Sequence, residues 1–352
     1  MSEFLSKNIK GILLCLAIAI PAYLLVKIVP GLTLVGAPVL AIVFGMIVTR
    51  FIKDKAPFSK GIGFTSKKIL QTAVVLLGFG LNLATVAKVG AESIPVIIST
   101  IAISLIVVFL VCKISKLERN SAVLIGVGSS ICGGSAIAAT APVIGADDEE
   151  IAQSISVVFL FNVIAALIFP SIGGMLGLSD AGFGLFAGTA INDTSSVTAA
   201  AATWDVMHST GGEVLEYATI VKLTRTLAII PITLALAVYE ASRKKYGESK
   251  GSGFSFKRAF PMFILYFMLA SVVTTVVTGM LSGGALATAE TAFDALKELS
   301  RFLIVMAMSA IGLNTDVVKL VRTGGKPIML GLCCWVMIAV VSLIVQNMIG
   351  IA

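Results

Sequence analysis

Apolar runs recur from one end of the chain to the other, each about 20 residues long and so able to cross ~30 Å of hydrocarbon. Spanning segments are expected near 10–29, 32–52, 69–86, 93–113, 151–177, 217–241, 260–280, 299–318 and 326–350. Two further stretches, 121–144 and 183–203, have spanning length but an odd composition rich in Gly, Ser, Thr and Ala. The first run follows Lys7 and Lys10, lacks a small-x-small cleavage site and ends in "KIVPG", so it reads as a retained helix rather than a leader. The pattern predicts an all-α integral membrane protein with about 9–11 transmembrane helices, two of its segments discontinuous, either re-entrant or broken.

Composition sharpens this picture. Of the 352 residues, 57% are hydrophobic and only 13% charged, against about 25% charged in soluble domains. We therefore expect one transmembrane domain over 1–352 and no soluble domain. The net charge of +7 suggests nucleic acid until its distribution is read. Six Lys/Arg lie in 50–68, six in 243–258, three in 113–119 and three in 319–326, while 205–216 carries Asp205, Glu213 and Glu216. The positive-inside rule puts the N-terminus and these basic loops in the cytoplasm and the C-terminus outside, in a bacterial cytoplasmic (inner) membrane, with no nucleic-acid partner. Cys15, Cys112, Cys132, Cys333 and Cys334 all fall in apolar segments and have no metal or disulfide spacing; they read as packing thiols.

The chain also matches itself. "GFGLNLATVAKVGAESIPVI" from Gly78 aligns without a gap on "AIGLNTDVVKLVRTGGKPIM" from Ala310, pairing Asn82 with Asn314, Val86 with Val318 and Pro95 with Pro327. Each matched proline is expected to open a helix. The copies run in opposite directions across the membrane, relating 69–113 to 299–350 as inverted repeats, an architecture of secondary transporters. The odd tracts form a second pair, "GSSICGGSAIAAT" from Gly128 and "GTAINDTSSVTAAA" from Gly188. Irregular backbone at membrane depth is tolerated only when buried in protein or lining water. Charge counting leaves broken spanning helices and re-entrant hairpins both open; symmetry favours hairpins entering from opposite faces.

The tracts "GSSICGGSAIAATAPVIGA", "FNVIAALIFP" and "AGTAINDTSSVTAAA", with the late "GLN", resemble the sulfate exporter family, so named by inference, a large group of uncharacterised bacterial membrane proteins. That family is similar in turn to the superfamily of cation/proton antiporters and bile-acid/sodium symporters. The resemblance implies roughly ten or eleven helices, inverted repeats and discontinuous segments crossing near the midplane. It also implies a sulfate-like or organosulfur anion as substrate and, by analogy, a homodimer.

Candidate residues follow from these tracts. Asp193 is a carboxylate among hydroxyls at membrane depth, where a charge costs about 2.5–3.5 kcal/mol. It reads as a coupling-ion ligand for Na⁺ or H⁺, assisted by Asn192, Thr194, Ser195 and Ser196, or else as a helix cap or ion-pair partner. Lys222 and Arg225, three apart on one helix face, are candidate anion ligands, with outward snorkelling or pairing to Asp193 as the plainer reading. Arg225 would lie ~10 Å below the outer surface if its helix began near Ala218. Ser129, Ser130, Gly133, Gly134 and Ser135 can present half-helix N-termini to an anion, or provide small-residue packing. Asn82 and Asn314 line the site or cap helix ends; Asn162 and Gln71 are weaker candidates, and Asp316 reads as solvated. The lone His208 reads as a loop residue, Asp147–Glu150 as the start of a helix and 285–300 as an amphipathic surface helix.

No HExxH, GxSxG or Walker motif is present, so we expect no enzyme, no cofactor and no metal site. The expected function is secondary active transport of a small inorganic or organosulfur anion by alternating access, coupled to Na⁺ or H⁺. A cation/proton antiporter-like exchanger and an anion channel are the alternatives, and an intramembrane enzyme using Ser135 or Cys132 is a rival of another class.

Overall fold

The computed structural model describes residues 2–29, 37–52, 54–115, 117–243, 262–315 and 325–351. Among these residues the regular elements are all helical. In chain order they begin with α1 (Ser2–Ile28), α2 (Ala37–Phe51), α3 (Ala56–Phe64), α4 (Leu70–Leu77) and α5 (Leu83–Ser115). Then come α6 (Arg119–Ser130), α7 (Gly134–Ile144), α8 (Asp148–Met175), α9 (Asp180–Ala190), α10 (Thr194–His208), α11 (Glu213–Thr226) and α12 (Ile229–Arg243). The last are α13 (Met262–Met280), α14 (Gly284–Asn314) and α15 (Gly325–Met348). Seven helical stretches are long and apolar enough to cross a membrane: Asn8–Val26, Ala56–Gly80, Leu83–Lys113, Glu149–Met175, Glu213–Tyr239, Met262–Met280 and Gly325–Met348. The chain is an all-α, multi-pass membrane protein.

Several boundaries differ from the sequence expectation. The rod Ala56–Gly80 joins α3, a π-helical turn (Thr65–Ile69), α4 and a 3₁₀ turn (Gly78–Gly80), so it starts well before residue 69, inside the expected basic loop. Lys60, Lys67 and Lys68 lie on its exposed side while Gly61, Ile62 and Thr65 are buried, which is how a lysine-rich stretch stays helical. Leu81 is extended and ends the rod. Asn82 Oδ1 then accepts the Thr85 N–H (2.8 Å) and the Thr85 hydroxyl (2.9 Å), opening α5 far upstream of residue 93. Pro95 therefore lies inside α5 rather than opening a helix, and forfeits one backbone bond there. Pro327 does fall in the first turn of α15. The expected surface helix 285–300 and span 299–318 are one helix, α14, because neither Pro nor Gly interrupts it between Gly284 and Gly312. Asp316, Val318 and most of the 243–258 and 319–326 loops lie outside the described residues.

By its contacts the chain divides into two compact units. The first comprises Met1–Val89, Thr198–Thr219 and Met262–Asp316. Lipid tails give no hydrophobic drive to helix association, so close backbone packing has to supply it. Accordingly Gly11 of α1 faces Gly61 of α3, and Gly45 of α2 faces Gly312 of α14, where a Cβ on Gly45 would stand 2.5 Å from the Ser309 carbonyl oxygen. Hydroxyls add interhelical bonds, from Ser309 to the Cys15 carbonyl (2.9 Å) and from Ser300 to the Ala73 carbonyl (2.6 Å). The start of α11 is held by Asp205, whose carboxylate accepts the N–H groups of Val214 and Leu215, each at 3.0 Å.

The second unit comprises Gly90–Val197, Ile220–Pro261 and Val317–Ala352. Within it, α6 and α7 fold back on one another. Leu124 of α6 shares a cluster with Ile137 and Ala141 of α7 and Val158 of α8. Both open ends lie at the start of α8, where Asn120 donates to Glu150 (3.1 Å) and Ser154 donates to the Ser121 carbonyl (3.3 Å). Residues 121–144 therefore form a re-entrant hairpin. In line with the sequence, α8 opens with a capping box between Asp147 and Glu150. Its 28 residues carry the chain about 42 Å; α9 then returns toward the middle of α8.

Candidate functional site

Two chain breaks meet beside Asn162, midway along α8. In the first, α6 ends at Ser130 and Gly133 starts α7 with φ 68° and ψ −129°, a conformation that residues with a Cβ adopt only under strain. In the second, α9 ends in extended Ile191 and α10 starts at Thr194. A Cβ built on Gly133 would stand 3.6 Å from Asp193 Cβ and 3.6 Å from Asn162 Nδ2, so the two turns lie side by side.

Buried backbone groups must find partners, and at a helix end they cannot find them within the helix. At the end of α6 the accounting closes. The Val127 carbonyl accepts the Ile131 N–H (3.2 Å), and the Gly128 carbonyl accepts the Gly133 N–H (2.9 Å). The carbonyls of Ser129 and Ser130 accept from Arg225 Nη2 (3.0 Å) and Nε (2.9 Å), and that of Ile131 accepts from Lys222 Nζ (2.6 Å). At the end of α9 the Ile191 carbonyl takes both cations, from Lys222 Nζ at 3.2 Å and Arg225 Nη1 at 3.3 Å. Arg225 Nη2 also reaches Asn192 Oδ1 at 3.5 Å.

The α6 and α9 carbonyl ends approach Asn162 from opposite ends of α8, and each carries about half a negative charge from its helix dipole. The guanidinium and the ammonium tie these two ends together. Both cations are fully buried. Pro231 lacks an N–H and crowds the Leu227 carbonyl, so α11 tightens into a turn at Leu227–Ala228 before α12 begins. Arg225 lies just before that turn. Because α11 starts at Glu213 rather than near Ala218, Arg225 is about 18 Å along the helix axis, deeper than the sequence suggested.

The second turn is clamped from α8. Asn162 Oδ1 accepts the N–H groups of Asn192 (3.0 Å) and Asp193 (3.3 Å). Asp193 caps α10: its Oδ2 accepts the Ser195 N–H (3.0 Å) and the Ser195 hydroxyl, and its carbonyl accepts the Val197 N–H (3.0 Å). Lys222 and Arg225 direct their N–H groups to backbone carbonyls and to Asn192. The start of α7 carries no side-chain cap. There Gly134 has open space where a Cβ would stand, and exposed Ser135 hydrogen-bonds back to Cys132 through its carbonyl (3.2 Å) and Sγ (3.0 Å). Asp193 and Thr194 are half-buried.

Of the candidates read from the sequence, Ser129, Ser130, Gly133, Gly134, Ser135, Asn192, Asp193, Thr194, Ser195, Lys222 and Arg225 share this crossing, and buried Ser196 follows in the first turn of α10. Ser129 and Ser130 take part through backbone carbonyls. Asn82 and Asn314 belong to the first unit, the former as the cap of α5 and the latter exposed as the last residue of α14. Gln71, also in the first unit, accepts from Lys68 at 3.5 Å. Asn162, a weaker candidate in the sequence, is the residue that holds the second turn; one Asn in an apolar run offers no pattern to raise it. Pro231, which bends the helix bearing Lys222 and Arg225, has no chemistry of its own to mark it in the sequence.

A family model described as conserved hypothetical protein 698 matches residues 10–331. The UPF0324 membrane protein of Streptococcus mutans is 58% identical over 346 residues, covering 98% of each chain. That of Streptococcus agalactiae serotype V is 57% identical over 344 residues, again 98% of each. A UPF0324 membrane protein of Fusobacterium nucleatum is 54% identical over 352 residues, 99% of this chain and 100% of its own. All three carry the word membrane in their names, in keeping with the multi-pass helical architecture.

Proposed function

The chain belongs to the conserved hypothetical protein 698 family; from that premise and the geometry of the two breaks, we propose that it is a secondary active transporter of a small anion. One observation carries the reading: two fully buried basic side chains and one carboxylate share the crossing, giving it a formal charge of +1. Intramembrane ionisable groups mark substrate or ion pathways, and a net positive cluster at depth attracts an anion. The donors beside the crossing are the uncapped first N–H groups of α7 and the hydroxyl of half-buried Thr194, which suit a tetrahedral oxyanion such as sulfate or a sulfonate. Lys222 and Arg225 act behind them through their field, their hydrogen bonds running to backbone carbonyls and to Asn192.

The mechanism is alternating access, with the second unit, which carries both breaks and both cations, as the moving body. Asp193 carries the coupling ion. The setting is the bacterial cytoplasmic membrane, with the N-terminus inside. The test is uptake of radiolabelled sulfate, thiosulfate and taurine by proteoliposomes under imposed ion gradients. Saturable, gradient-driven accumulation of one anion class, lost in Arg225→Ala, is expected. Flux beyond about a thousand ions per second without dependence on a driving gradient would make the protein a channel instead. Undiminished gradient-driven transport by Asp193→Asn would remove that residue from coupling.

A further inference from the structure

We propose that Lys222 and Arg225 are a built-in cation that fills the place a coupling sodium takes in such a crossing, leaving a proton on Asp193 as the exchangeable ion; this deepens, and rests on, the transporter reading above. Where half-helices meet at the midplane, unwound carbonyls and C-terminal helix ends are the oxygens that coordinate Na⁺. Here the carbonyls of Ser129, Ser130, Ile131 and Ile191 already accept from these two side chains. The ammonium stands between Ile131 and Ile191, 2.6 and 3.2 Å from their oxygens, and is fully buried. A sodium ion would have to displace a covalently tethered cation, and the tether gives the resident an intramolecular advantage.

The group left to exchange an ion is the carboxylate. Asp193 holds Ser195 through Oδ2, the backbone N–H groups of Thr194 and Ser196 also bond to it, and the residue is half-buried. The groups near it are Gly133 and Cys132 of the first turn, Asn162 of α8, and Lys222 and Arg225 of α11; among them the titratable or charged ones are Cys132, Lys222 and Arg225. Protonating Asp193 raises the formal charge of the cluster from +1 to +2 and so favours an anion beside it. By linkage the anion favours the proton equally. Proton and anion then bind together, which is the arrangement of a symporter.

The experiment measures thermal stability of the purified full chain in detergent, in NaCl, KCl or choline chloride at one ionic strength. Wild type is expected to melt at the same temperature in all three, to within about 1 °C. Lys222→Met, which vacates the place between Ile131 and Ile191, is expected to gain a rise of about 3–5 °C in saturating Na⁺ or K⁺ relative to choline. A sodium-specific rise in wild type would overturn the proposal, and so would a folded Lys222→Met protein indifferent to alkali cations. Should that variant fail to fold, the wild-type titration and Lys222→Arg, which keeps the cation and must stay indifferent to sodium, still decide. A second arm follows the melting shift caused by sulfate from pH 5 to 8: it should grow as pH falls in wild type and stay flat in Asp193→Asn. A flat wild-type profile would reject the proton. The sodium arm needs neither anion nor transport, so a failure of the anion reading shows separately, as the absence of any anion shift.

Discussion

Gly133 adopts φ 68° and ψ −129° with its nearest neighbours 3.6 Å from a would-be Cβ, so substituting it meets backbone strain rather than a clash. Gly133→Ala is expected to fold but to lose about 1–3 kcal/mol, read as a lower melting temperature. Asn162 tests the opposite turn. Asn162→Leu leaves the N–H groups of Asn192 and Asp193 without their acceptor and should cost about 1–3 kcal/mol, whereas Asn162→Asp keeps an acceptor and should cost less. Equal melting temperatures for the two variants would count against the clamp. At this scale the sequence is half readable. Lys222, Arg225 and Asp193 stand out as charges in apolar runs, but the partners of the two cations are mostly backbone carbonyls, which every residue has and no residue type marks. The cap role of Asp193 is visible as an alternative, since Asp ahead of a Ser/Thr-rich helix start suits an N-cap.

Among the elements, the close pair Gly45 and Gly312 offers the plainest test. A methyl on Gly45 would fall 2.5 Å from the Ser309 carbonyl oxygen, so Gly45→Ala must push α2 off α14, and about 1–3 kcal/mol of stability should go with it in a melting assay. Nearly every expected span has a helix in the structure, because length and apolarity are strong signals. The misplaced boundaries share a cause: charge and proline look like helix ends when only the local sequence is read. Lysines on the outer side of Ala56–Gly80 and the proline inside α5 are compatible with helix, and nothing local distinguishes those positions from loops. The first odd tract proves a hairpin because Leu124 and Ala141 share one cluster, a contact between its two arms that local composition does not reveal.

Across the whole molecule, the order of helices together with the positive-inside rule predicts sidedness: the N-terminus and the α5–α6 joint in the cytoplasm, the α10–α11 turn and the C-terminus outside. Glu118 in the joint and Ser209 in the turn are both exposed, so each can carry a single reporter cysteine in a chain otherwise stripped of cysteine. A membrane-impermeant maleimide added to intact cells should label Ser209→Cys and spare Glu118→Cys; the reverse pattern would invert the topology. The bridge between the first hairpin and α11 also has a consequence in time. The Ser130 and Ser129 carbonyls are 95 and 96 residues ahead of the guanidinium that will satisfy them. A ribosome adding about 5–20 residues per second makes that partner roughly 5–20 s later. For that interval the turn cannot rest in lipid, where bare carbonyls are too costly. Its seat in the membrane has to wait, wet or shielded by the insertion machinery, until α11 arrives. A nascent chain halted at Thr210 should therefore leave Cys132 open to a water-soluble maleimide, and one released past Arg243 should close it.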